Sequence, residues 1–272
     1  MALFFLPETY LPILLDWKSR QLRHYTGDDR YTSDRSAGSS FFQRVKDILP
    51  LPAIFFATEP VIAVLGGYLI LLYSILFTFL SGFDYIFQRT YDLSTGETGS
   101  CFAAIAAGAT IATLAVPGLY RWARRKTKYQ HGATLPPEFR LWPAIIASPF
   151  LPVSLFWLGW TNYSSISIWS GLSACGLFGM VLVFIYISAY EYIIDSYGKH
   201  AASALASITM VRYLVAGGMV MAARPMYERI GVHWAMTILG CVSLLLVPMP
   251  LLFKNYGAQL RRRSRYADSL DD

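Results

Sequence analysis

Charged side chains are scarce in this sequence: only 15% of its 272 residues are Asp, Glu, Lys or Arg, where an ordinary soluble domain has about 25%. A chain so poor in charge, with 55% hydrophobic residues and a mean hydropathy of +0.41, does not have water as its main solvent. Cysteine is also rare, with Cys101, Cys175 and Cys241 widely separated and each inside an apolar run. That excludes a disulfide framework and a zinc site, and leaves packing as their role. The four histidines, His24, His131, His200 and His233, stand alone. Without a closely spaced ligand set or an acidic run at the edge of an apolar segment, a membrane enzyme is disfavoured, and neither metal nor cofactor is expected. A filter-like loop and an Arg-rich helix are missing too, which weakens a channel reading.

Long apolar runs are what the sequence does have. Crossing a hydrocarbon core as a helix takes roughly 20 apolar residues, because no water is present to satisfy an open backbone. Six windows qualify: Val61 to Leu80, Cys101 to Tyr120, Leu141 to Trp160, Ile166 to Tyr190, Ala204 to Ala223 and Trp234 to Phe253. Only the fifth contains a charge, Arg212. The second is Ala-rich and the third Pro-rich, so their ends are the least defined.

The net charge of +6 is no sign of nucleic acid, because Lys and Arg crowd into the segments between the apolar runs. Residues 7 to 56 carry seven of them, 121 to 140 six, 191 to 203 one and 254 to 272 five, while the alternate segments hold only Arg89, Arg224 and Arg229. Basic residues stay on the cytoplasmic side, so both termini are expected there. The glycosylation sequon Asn162-Tyr163-Ser164 falls in a segment assigned to the outside, though close to the membrane. Residues 1–6 read as the stub of a preceding helix, 7–52 as a mobile cytoplasmic loop, 53–253 as the membrane bundle and 254–272 as a basic cytoplasmic tail. Near residues 40–49, Phe41, Phe42, Val45, Ile48 and Leu49 recur at helical spacing, the pattern of an amphipathic helix on the inner leaflet or packed under the bundle. Small-residue stripes, Ala104, Gly108 and Ala112 in the second span and Gly171, Cys175 and Gly179 in the fourth, suit close helix packing in lipid. Gly217-Gly218 in the fifth span permits close approach or bending.

A series of local motifs resembles the fungal drug:proton antiporter branch of the major facilitator superfamily, and the likeness runs through almost the whole chain. Leu6-Pro7-Glu8-Thr9-Tyr10 is similar to the end of that family's sixth helix, Thr58-Glu59-Pro60 to the start of its seventh and Gly96-Glu97-Thr98-Gly99 to the start of its eighth. Pro137-Glu138-Phe139-Arg140-Leu141 with Pro152 and Phe156-Trp157 resembles its ninth, and Tyr192 to Gly198 followed by Ala201-Ala202-Ser203-Ala204 the end of its tenth. Arg212, Pro225-Met226-Tyr227 and Tyr256-Gly257 with Arg261 complete the series. Glu191 stands where the family more often has Asn, Val220 where a mid-helix proline is usual, and Leu51 where Arg is common. The resemblance implies an all-α integral membrane protein whose six transmembrane helices form one half of a major-facilitator-type bundle, helices seven to twelve. It further implies proton-coupled efflux of a small organic molecule such as a drug, toxin, polyamine or secondary metabolite. The partners it implies are the lipid bilayer, the substrate, protons, and a second transporter half or another copy. The plasma membrane is the expected location, with an internal membrane as the alternative. A non-transporting fragment or regulatory partner is the competing reading.

Candidate residues follow from helical spacing. In the first span Glu59, Gly66, Tyr73, Phe77, Leu80 and Asp84 share one stripe, a candidate cavity wall. The plainer reading has Thr58 capping the helix, Glu59 sitting at its amino end and the aromatics as packing. In the fourth span Tyr186 and Tyr190 share a face suited to flat or cationic substrates, and Glu191 and Asp195 share the opposite one. Tyr190, Tyr192 and Tyr197 also fit an interfacial belt. Arg212 either snorkels to the inner surface or pairs with Glu191 or Asp195 as a gate. For proton coupling, Glu191 and Asp84 are the conceivable carboxylates, with Asp195 and Glu59 as further gating or coupling candidates.

Overall fold

An apolar segment in lipid can satisfy its backbone only within itself, and the six apolar windows all become helices. The computed structural model describes residues 11–28, 30–31, 51–126 and 136–264. It falls into two compact units, 1–50 and 51–272.

In the first unit, α1 (Leu11–Thr26) occupies part of the segment expected as a loop. Its sequence supports a helix on its own terms: a leucine-rich stretch carries Asp16 and Arg20 one turn apart, 2.9 Å between charged atoms, and Gly27 at φ +66° closes it. The stub at 1–6, the amphipathic helix near 40–49 and the end of the tail lie outside the described residues.

The second unit begins with α2 (Leu51–Thr58) and α3 (Pro60–Ser81), followed by one π-helical turn at Asp84–Gln88. Then come α4 (Thr95–Lys126), a 3₁₀ turn at Pro137–Leu141, α5 (Trp142–Ala147), α6 (Phe150–Thr161), α7 (Ile168–Tyr197), α8 (Ala201–Ile230), α9 (Val232–Leu246) and α10 (Met249–Arg262). Among the described residues there is no strand. Six stretches are long and apolar enough to cross a membrane: Pro60–Ser81, Thr95–Trp122, Pro137–Thr161, Ile168–Tyr197, Ala201–Ile230 and Val232–Arg262. The fold is that of an all-α membrane protein of six spans, consistent with one half of a major-facilitator-type bundle. Most spans reach past the apolar windows, since helices continue into the polar zone on either side; the last runs on to Arg262, into the segment expected as a tail.

Local chemistry sets the breaks. At the start of α4, Ser94 and Glu97 form a capping box, the Ser94 backbone N–H and hydroxyl both donating to Glu97 Oε2 at 2.9 and 2.8 Å. The third and sixth spans are interrupted where Pro149 and Pro248 remove a backbone donor. The two interruptions meet: the Ser148 hydroxyl donates to the Val247 carbonyl at 3.2 Å, which supplies a freed backbone acceptor in place of water.

Helix α7 packs most extensively on α4, and α3 on α8, while α6 lies against both α7 and α9. The α4/α7 seam depends on missing side chains. A Cβ on Gly108 would lie 1.9 Å from the Gly176 carbonyl oxygen, and one on Gly179 would lie 2.5 Å from the Ile105 carbonyl oxygen. The second-span stripe of Ala104, Gly108 and Ala112 thus faces its partner as the spacing suggests. On the fourth span, however, Gly176 and Gly179 make the close approach, and Gly171 packs instead on Phe87 and Leu158. Among the described residues nothing lies within 4 Å of a Cβ on Gly217 or Gly218, and α8 passes through them unbroken.

Candidate functional site

The charge in the fifth span is held by rings. The Arg212 guanidinium carbon lies 4.3 Å from the Tyr73 ring centroid, 5.3 Å from Tyr213, 5.5 Å from Tyr186 and 5.8 Å from Tyr190. The rings also touch one another: Tyr73 meets Phe77 at 4.8 Å, Tyr213 at 5.5 Å and Tyr186 at 6.1 Å, and Tyr186 meets Tyr190 at 6.1 Å. The structure therefore gathers Tyr73, Phe77, Tyr186, Tyr190 and Arg212 into one cluster built from α3, α7 and α8. Tyr213 joins them; its position beside Arg212 was the sequence signal for it.

Arg212 neither snorkels nor pairs with Glu191 or Asp195, contrary to both sequence readings. It is 5% exposed and forms no ion pair among the described residues. At about 1.5 Å per residue it sits roughly 16 Å along α8 from Ala201, well inside a helix long enough to cross a hydrocarbon core about 30 Å thick. A bare Arg there costs about 3 kcal/mol on insertion scales, and each well-placed ring returns on the order of 0.5–1 kcal/mol. Four rings are enough to make the buried cation tolerable, which explains why it needs no carboxylate.

The carboxylates are committed elsewhere. Arg140, at the start of the third span, reaches Asp195 at 2.7 Å and Glu191 at 3.5 Å, and the Tyr120 hydroxyl also donates to Glu191. Spacing along α7 puts Glu191 and Asp195 on one face as expected, but the partner is an arginine whose proximity sequence alone did not reveal. Nearby, Arg261 and Glu138 form a deeper ion pair at 2.8 Å, with side chains only 11% and 12% exposed. Tyr192 and Tyr197 are fully buried at this end rather than forming an interfacial belt. The Tyr197 hydroxyl donates to Glu59 Oε2 at 3.1 Å. Glu59 occupies the N-cap position of α3 and is 1% exposed, whereas the Thr58 hydroxyl turns back to the Ile54 carbonyl and caps nothing.

Asp84 lies at the opposite end of the first span, exposed in the π-helical turn. It lines an open polar cavity of about 690 Å³ with Tyr85, Gln88, Arg89, Asp92 and Arg224. The first-span stripe thus divides into a buried acid, an aromatic middle and an exposed acid. Asn162 is 3% exposed, and its side-chain amide donates to the Thr90 hydroxyl at 3.1 Å. A buried amide with a partner is a poor acceptor of a glycan. Glycosidase treatment of the chain from a eukaryotic host is expected to leave its gel mobility unchanged, and a downward shift would contradict this placement.

Sequence comparison finds relatives along nearly the full chain. It is similar to the MFS-type transporter kojT of Aspergillus oryzae, 43% identical over 265 residues, covering 96% of this chain and 47% of the relative. It is similar to the MFS-type efflux pump MFS2 of Trichophyton rubrum, 34% identical and covering 98% of this chain and 45% of that protein. The major facilitator superfamily multidrug transporter mdrA of Aspergillus fumigatus is likewise 34% identical, with 98% and 44% covered. The chain spans about half the length of these relatives. No family model and no solved structure matches.

Proposed function

From its likeness to relatives named as major facilitator transporters, we propose that this chain supplies six spans of such a transporter and serves to move a small organic molecule out of the cell in exchange for protons. The cluster around Arg212 carries the reading: aromatic rings from three helices, well inside the spans, with Tyr213 53% exposed on the open side. Rings offer flat contact surface at little entropy cost, and a central position is where a rocking transporter must hold its cargo. Because the relatives are about twice as long, the complete path lies between this bundle and further helices, from a second half or another copy.

The ion pairs of Arg140 with Glu191 and Asp195 fit an inner gate, since they join the third and fourth spans with partly exposed charges that can part at low cost. Glu59, buried beside Tyr197, suits proton coupling better than the exposed Asp84. The charge bias of the loops supports cytoplasmic termini, and export from the cell would place the chain in the plasma membrane.

Expression of the full chain in cells stripped of their own export pumps tests the reading, with accumulation of a fluorescent lipophilic dye as the measure. Dye retention is expected to fall relative to empty-vector cells, and an uncoupler is expected to abolish the difference. Arg212→Ala is expected to remove export while leaving membrane insertion intact. Export by Arg212→Ala at the parent rate would take Arg212 out of the path.

A further inference from the structure

A guanidinium surrounded by ring faces is tolerated but not neutralised. Ring faces attract the cation but carry no charge to balance it, and its N–H groups need acceptors in the plane. Among the described residues, Arg212 Nε is buried without a hydrogen-bond partner, and the other groups that the guanidinium meets are the neutral hydroxyls and rings of Tyr186, Tyr190 and Tyr213, with no carboxylate among them. An unmet donor on a buried cation without a counter-charge makes an incomplete arrangement. Buried polar groups are paired in nearly all folded proteins, so an unmet donor on a buried cation calls for a partner. Nor can neighbouring carboxylates complete it: Glu191 and Asp195 are held by Arg140, and Glu138 by Arg261.

We infer that the cluster is a binding site for an organic anion: a flat ring bearing a carboxylate, with the anion on Arg212 and Tyr186 and the ring against Tyr73, Phe77 and Tyr213. Charge and shape agree on this class. Two N–H groups of a guanidinium match two oxygens of one acid group, and the bond is charge-assisted. A cationic ligand would meet like charge inside the span, where little water screens it. The approach is open, because Tyr213 is half-exposed and Tyr73 and Phe77 are partly so. This inference rests on the transport reading for its purpose, but the binding chemistry stands by itself.

The test uses the full chain purified in detergent, with benzoate, benzyl alcohol and benzylammonium as probes that share a ring and differ in charge. Binding is followed by calorimetry and by the rise in melting temperature. Benzoate is expected to bind roughly tenfold or more tightly than benzyl alcohol, as a charge-assisted hydrogen bond implies, and benzylammonium not measurably. Arg212→Gln is expected to erase the difference between benzoate and the alcohol, Arg212→Lys to keep part of it, and Tyr186→Phe to reduce it. Should Arg212→Gln fail to fold, the parent's charge preference and the Tyr186→Phe variant still decide. Equal binding of acid and alcohol, preference for the cation, absence of binding by all three probes, or an unchanged preference in Arg212→Gln would overturn the inference. Preference for the cation would leave the export reading intact. Benzoate binding without any dye export would instead sink the export reading and leave the anion site standing.

Discussion

Gly108→Leu is expected to prevent the bundle from reaching its native packing. Even the first carbon of a side chain at this position would lie 1.9 Å from the Gly176 carbonyl oxygen, and that obstacle is backbone with no rotamer to change. Overpacking a core costs about 1–3 kcal/mol when neighbours can shift, and more when they cannot. Here the whole of α4 would have to leave α7, its most extensive partner. In lipid the loss is not recovered elsewhere, because helix association rests on close contact rather than on water exclusion. The measurement is the fraction eluting as a monodisperse peak in detergent, with the thermal midpoint of what remains. Gly217→Ala is the control: no described residue lies within 4 Å of its Cβ, and Ala favours helix over Gly by about 1 kcal/mol, so that variant should be as stable as the parent or more so. Equal behaviour of the two variants would contradict the packing described for the α4/α7 seam.

Glu138→Ala should cost about 3 kcal/mol of stability. Removing the acid strands the Arg261 guanidinium, 11% exposed, among buried neighbours that include the Tyr192 hydroxyl. The cost comes from an uncompensated charge, so Glu138→Ala combined with Arg261→Ala is expected to be more stable than Glu138→Ala alone. Arg140→Ala gives the contrast. Its ion pairs involve side chains 38%, 33% and 32% exposed, where solvent screening limits each pair to roughly 1 kcal/mol or less. Denaturation of the three variants in mixed micelles orders them. A loss in Arg140→Ala as large as in Glu138→Ala would show that burial does not set the strength of these pairs.

The spans were readable because lipid imposes one rule on every residue within them, and a run of apolar side chains is enough to invoke it. Helical spacing likewise placed Tyr73 with Phe77 and Tyr186 with Tyr190, since neighbours on one helix face follow from a fixed rise and turn. What joins helices did not follow. Arg140 was counted as a charge that sets orientation, and nothing in its own segment says that α7 brings Glu191 and Asp195 beside it. Arg212 was expected to find water or an acid, the two usual remedies for a charge in lipid; a third remedy, rings from three helices, needs tertiary placement to be seen. Tyr197 and Tyr192 looked interfacial from their position near a span's end, yet each lies inside the contact between helix ends. For α1, the charge and Ser/Gly content of the surrounding segment concealed a short leucine-rich helix.

The most direct test compares two exposed positions at similar depth. Tyr213 on α8 is 53% exposed beside the Arg212 cluster, and Leu245 on α9 is 69% exposed on an apolar face. In a chain with Cys101, Cys175 and Cys241 replaced by Ala and held in lipid nanodiscs, Tyr213→Cys is expected to react readily with a hydrophilic thiol reagent and to be protected by benzoate. Leu245→Cys is expected to remain unlabelled until detergent is added. Labelling of Leu245→Cys as fast as Tyr213→Cys in intact nanodiscs would contradict a lipid-facing bundle with a wet, ligand-accessible side at Arg212.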